Sequence, residues 1–146
     1  MKPDDYSYQC GAIDCCNEIV CLGVKSLAFI RPFSTAEARD TLIPFSRESC
    51  RSCGTRFYPE DAPLLTDLFP LSETQGKFLI LFYKEGHILE QYIRLKERKA
   101  SLVAEGAYFG GNRTRIAWEY GKLLSYPDEV ITENIQNNEE KEIFSS

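Results

Sequence analysis

Apolar and polar positions along the chain follow two regimes, with a change near residue 70. In the first, residues 19–30 (IVCLGVKSLAFI) are almost continuously apolar and rich in β-branched side chains. That pattern predicts a strand, bent at Gly23 and ended by Pro32. Ser34 and Glu37 have capping-box spacing, which predicts one or two helical turns. Short strands are expected at 42–45, interrupted by Pro44, and at 55–58, stopped by Pro59. Residues 61–76 read as a connector, with Pro63, Pro70 and a short apolar turn at Leu64, Leu65, Leu68 and Phe69.

The second regime carries longer periodic segments. KFLILFY (77–83) is apolar without alternation, which predicts a strand buried on both faces. After a KEGH turn, Ile88, Leu89, Tyr92, Ile93 and Val103 suit a helix. Leu89, Ile93 and Leu95 also suit the return strand of a hairpin, and length favours helix over at least part of 88–105. FGGNRTR breaks the pattern. Asn112 or Thr114 then caps a helix to about Leu124, with Ile116, Tyr120, Leu123 and Leu124 on one face. Ser125 and Pro127 open a last helix over 127–136, and the acidic tail 137–146 is expected to fray.

Composition narrows the class. The chain has 146 residues, 43% hydrophobic and 12% aromatic, which argues for a folded protein rather than a disordered one. The opening MKPDDYSYQC has no apolar core, and no apolar run approaches the roughly 20 residues of a membrane helix. The expectation is a soluble cytoplasmic protein with no membrane partner. A net charge of −5 disfavours generic binding to phosphate backbones, which draws on a basic excess. Lys84, Arg94, Lys96, Arg98 and Lys99 form a basic cluster, diluted by Glu85, Glu90 and Glu97.

All six cysteines lie within residues 1–60. In a chain without a secretory signal, such clusters more often serve metal or redox chemistry than disulfides. Cys50-Arg-Ser-Cys53-Gly54 has the form of a zinc knuckle, in which a tight turn aims two thiolates at one ion. A tetrahedral site needs two further ligands. The candidates are Cys10, Cys15, Cys16 and Cys21, and the spacing of Cys16 and Cys21 serves as well as that of Cys10 and Cys15. Cys10 with Cys15 or Cys16 is preferred, since Cys21 lies inside the expected apolar strand, where burial alone accounts for it. An iron–sulfur cluster, a thiol redox pair, or six reduced cysteines packed as small apolar residues are the alternatives. The single histidine, His87, reads as an exposed turn residue.

The stretch YQCGAIDCCNEIV…SCRSCGTRFY (8–58) resembles a zinc ribbon, with one cysteine pair before a strand and a second in CxxCG before another. The resemblance implies a structural Zn2+ held by four thiolates among Cys10, Cys15, Cys16, Cys50 and Cys53, at a site closed to substrate. GGNRTRIA (110–117) resembles the start of the helix-turn-helix in Fis-type bacterial DNA-binding domains. The helix that would read bases, however, carries Asp128, Glu129 and Glu133, where phosphates call for basic residues.

The expected fold is α+β: a small cysteine-rich, zinc-ribbon-like β module at 1–60, a connector at 61–76, and a mixed strand and helix region at 77–136 that ends in a helical hairpin. The chain contains no GxSxG, Walker loop or HExxH, and the reading leans away from an enzyme. The expected function is that of a zinc-stabilised adaptor or regulator acting through a protein partner. The alternatives are a nucleic-acid-associated ribbon, using Arg51, Arg56 and the basic cluster at 94–99, and a thiol redox or metal-handling protein.

Overall fold

The computed structural model describes residues 3–144. Its elements follow the order α1 (Pro3–Cys21), β1 (Leu27–Phe29), α2 (Ala36–Asp40), α3 (Ile43–Cys53), β2 (Arg56–Glu60), α4 (Leu71–Thr74), β3 (Leu79–Tyr83), α5 (Gly86–Ala104), α6 (Gly110–Leu123) and α7 (Asp128–Asn137). The protein is α+β, as expected.

β3 organises the rest. It is the middle strand of an antiparallel sheet ordered β1-β3-β2, and all five of its residues are buried. Side chains alternate across a strand, so the continuous apolar run feeds two cores. Leu79, Leu81 and Tyr83 pack with Tyr92, Leu95, Ile116 and Tyr120 of α5 and α6. Ile80 and Phe82 pack on the other side with Ile13 of α1 and Cys50 of α3. The sheet thus draws β1 and β2 from before the 61–76 connector and β3 from after it.

Several local expectations are corrected. Residues 19–21 are the last turn of α1, and only Leu27–Phe29 of the expected 19–30 strand is extended. Gly23 does not bend a strand. It stands at φ +78 just past the helix, where Gly23 N–H donates to Val20 O and Val24 N–H to Ile19 O, a Schellman stop. The 42–45 strand is instead the start of α3, with Pro44 in the first turn, where a missing N–H costs nothing. β2 continues through Pro59, which pairs with Ile80, because an edge strand tolerates a residue without a donor. Thr35 rather than Ser34 caps α2 and accepts from Ala38 N–H.

The C-terminal half follows the pattern closely. The 88–105 ambiguity resolves as helix, and α6 and α7 form the expected pair. They approach so closely that a Cβ added at Gly121 would lie 2.6 Å from Ile131 Cγ1. The tail over 138–144 does not fray. Asn138 donates to Asp67 O and Phe69 O, and Glu140 O accepts from Leu71 N–H. The last two residues of that expected tail lie outside the described residues.

Candidate functional site

The cysteines expected as ligands lie on two packed helices, not on β knuckles. Cys10, Cys15, Cys16 and Cys21 belong to α1, and Cys50 and Cys53 to the last turn of α3, with Gly54 left-handed just after it. All six are free thiols. Cys10, Cys16 and Cys50 pack into the α1–α3 side of the core, whereas Cys15 is exposed. Among the described residues, no group of three or more His, Cys, Asp or Glu is placed to hold a metal ion. The cysteine pairs stand on helices, where the ribbon resemblance implied β knuckles.

A polar network occupies the helix contact instead. The buried Asn17 of α1 donates to Ser49 Oγ of α3 at 2.9 Å and accepts from Thr55 Oγ1 at 2.8 Å and Cys50 Sγ at 3.6 Å. Ser49 Oγ in turn donates to Asp14 at 2.6 Å. Burial pushes Cys16 up to about 11, and neighbouring Cys15 adds to the effect. Cys50 and Cys53 are also raised, first by burial, and for Cys53 also by Cys21, Asp14 and Glu18. These shifts hold the thiols protonated, the reverse of what a nucleophilic redox cysteine requires.

A second constellation appears where α5 and α6 lie side by side. The sequence cluster at 84–99 divides. Lys96 turns inward to Glu60 Oε2 at 2.8 Å and Ala62 O at 2.7 Å, and Lys99 to Leu65 O and Glu142 Oε1, both at 2.7 Å. Arg94 and Arg98, one helical turn apart, face the other way. There they meet Arg115 and Lys122 of α6, which lie two turns apart on one face.

These side chains line a groove of two compartments. One, of about 440 Å³, is bordered by Ser26, Gln91, Arg94, Arg98, Glu119 and Lys122. The other, of about 500 Å³, is bordered by Arg94, Glu97, Arg98, Ser101, Asn112 and Arg115. Across the two, four cations face two carboxylates. The groove is cationic on a protein that is acidic as a whole.

Charge within the groove is unevenly engaged. Arg98 forks onto Glu119, Nη1 to Oε1 at 3.0 Å and Nη2 to Oε2 at 2.6 Å. The fork holds the Glu119 carboxyl below its usual range, with Arg115 contributing. Lys122 donates to Asp128. Arg94 makes no hydrogen bond or ion pair among the described residues, and Arg115 makes no hydrogen bond there. Both are exposed. Arg94 and Arg115, one from each helix, flank this ion pair, and Arg115 lies close enough to Glu119 to act on its charge.

Arg113, grouped with Arg115 in the sequence, goes elsewhere, to Asp67. His87 is exposed in the first turn of α5 and lines neither compartment. Arg51 ties to Glu48 on its own helix and lines neither compartment. The i, i+4 spacing of Arg94 and Arg98 and the i, i+4, i+7 spacing of Arg115, Glu119 and Lys122 were visible in the sequence, but not their pairing across two helices. Compared with known proteins, the chain matches no family model, no curated protein and no solved structure.

Proposed function

We propose that this protein is a non-catalytic interaction module that docks an acidic segment of a protein partner in the groove between α5 and α6. The observation that carries the reading is the pair Arg94 and Arg115, exposed on opposite walls and without hydrogen-bond acceptors among the described residues. Guanidinium groups bind carboxylates in a planar fork, so each is ready to take one. The Arg98–Glu119 pair keeps the walls in register. On a protein that is acidic as a whole, a groove bordered by four cations locally favours an acidic ligand, which helps direct the approach.

Zinc has no part in this proposal, because the α1–α3 contact has its own hydrogen-bonded centre at Asn17. Redox chemistry at Cys50 or Cys53 is not proposed either, given thiols raised by burial. The test is fluorescence anisotropy at low salt with a labelled octaglutamate peptide and, separately, a labelled oligothymidylate. Peptide binding that weakens about tenfold or more in R94E/R115E supports the reading. Tighter binding of the oligonucleotide, lost in the same variant, would replace the protein partner with a nucleic acid. Binding of neither would end both readings.

A further inference from the structure

On the opposite side of α5, the C-terminal tail lies in a second cleft. Glu142 Oε1 accepts from Lys99 Nζ at 2.7 Å, and both side chains are 13% exposed. Glu142 O accepts from Arg113 Nη2 at 2.8 Å. Phe144 meets the edge of Tyr108, with ring centroids 5.5 Å apart and planes at 82°. The Arg113 guanidinium lies 5.2 Å from the Tyr108 ring and 5.8 Å from that of Phe144. The contact reads a carboxylate followed two residues later by an aromatic ring.

Among the described residues, the tail fills this cleft only in part. Phe144 is 43% exposed and Ile143, between the two contacts, is 95% exposed. An open, mainly apolar pocket of about 460 Å³ lies beside Phe144, bordered by Pro63, Leu64, Leu65 and Val103 and by Lys96 and Lys99. The Tyr108 hydroxyl is buried with no hydrogen-bond partner among the described residues. Residues 138–140 are anchored separately, so Glu142 to Phe144 can leave while the rest of the tail stays.

We propose that this cleft is a docking site for a linear segment of a second protein carrying an acidic residue two positions before an aromatic one. The chain's own Glu142–Phe144 is its internal occupant. A tethered occupant competes at an effective concentration of order millimolar for a short tether, so an outside segment binds weakly until the tail is displaced. The hydrogen-bonding capacity left at Tyr108 and the open apolar space are what an outside segment uses and the tail does not. This site shares no residue with the groove of Arg94 and Arg115 and stands independently of it.

The test uses full-length protein and a fluorescein-labelled Lys-Glu-Ile-Phe peptide. In E142A/F144A the cleft is vacated, and the peptide is expected to bind about tenfold tighter or more than to the unaltered chain. Adding K99A is expected to abolish the gain. Both tail substitutions lie outside the two cores. E142Q alone, which keeps shape and loses charge, is expected to give a smaller gain in the same direction. Equal affinity for all variants, or no binding to E142A/F144A at millimolar peptide, overturns the proposal. A concentration-dependent dimer of the unaltered chain that E142A/F144A abolishes would also overturn it, in favour of tail exchange between copies.

Discussion

Asn17 on α1 donates its side-chain amide to Ser49 Oγ on α3 at 2.9 Å, at the helix contact where a metal was expected from the cysteines. The amide is wholly buried and also serves Thr55 and Cys50. Asn17→Ala leaves several buried partners unsatisfied at once, at an expected cost of about 3 kcal/mol. Urea unfolding measures it, and Ser49→Ala is expected to cost less. With hydrogen bonds holding this contact, EDTA is expected to leave the melting temperature unchanged. A fall of several degrees on chelation would restore a structural metal.

The same residues show why the N-terminal half was hard to read. Cys10, Ile13, Cys16, Asn17 and Val20 recur at three- to four-residue spacing and form the inner face of α1. Read as metal ligands, the cysteines hide that period; read as small apolar residues, they complete it. Asn17 in the middle of the stripe hides it further, because its partners sit 32 to 38 residues away. KFLILFY carried its own answer, since a strand buried on both faces needs no partner to be recognised. Of the groove, the basic cluster around residues 94–99 and the apolar face of α6 were legible, but the polar face with Arg115, Glu119 and Lys122 was not singled out. The packing of α5 on α6 that combines them was not, because no local pattern encodes it.

Alkaline pH should weaken the fold. Cys16 is raised from 9.0 to about 11 by burial, so between those values the unfolded chain loses its proton while the folded one keeps it. The unfolded state then binds fewer protons, and stability falls as pH rises through that window. The expected loss from Cys16 is roughly 1–2 kcal/mol after discounting for partial exposure. Burial of Tyr92, Tyr108 and Tyr120 raises their hydroxyls too, which extends the decline upward. Chemical denaturation at pH 8 and pH 10.5 measures it, and Cys16→Ala is expected to flatten the lower part of the slope.

Glu119 restrains Arg98, so its charge opposes an acidic ligand. Glu119→Gln removes one negative charge from the groove and loosens the fork. Octaglutamate affinity is expected to rise roughly threefold to tenfold, while stability changes by at most about 1 kcal/mol, because the pair is half exposed. Anisotropy titration and thermal melting of the same sample separate the two effects. Weaker binding in Glu119→Gln would mean that the ion pair itself positions the ligand.

The most direct measurement is an NMR titration of the 15N-labelled full-length chain with unlabelled octaglutamate at low salt. The expected result is amide shifts concentrated at Gln91, Arg94, Ser101, Asn112 and Arg115, the residues bordering the two compartments. Those shifts are expected to shrink as salt is raised, since exposed charges are screened over about 10 Å at 0.1 M. An absence of shifts at saturating peptide, or shifts centred on α1 and α3, would contradict a docking groove between α5 and α6.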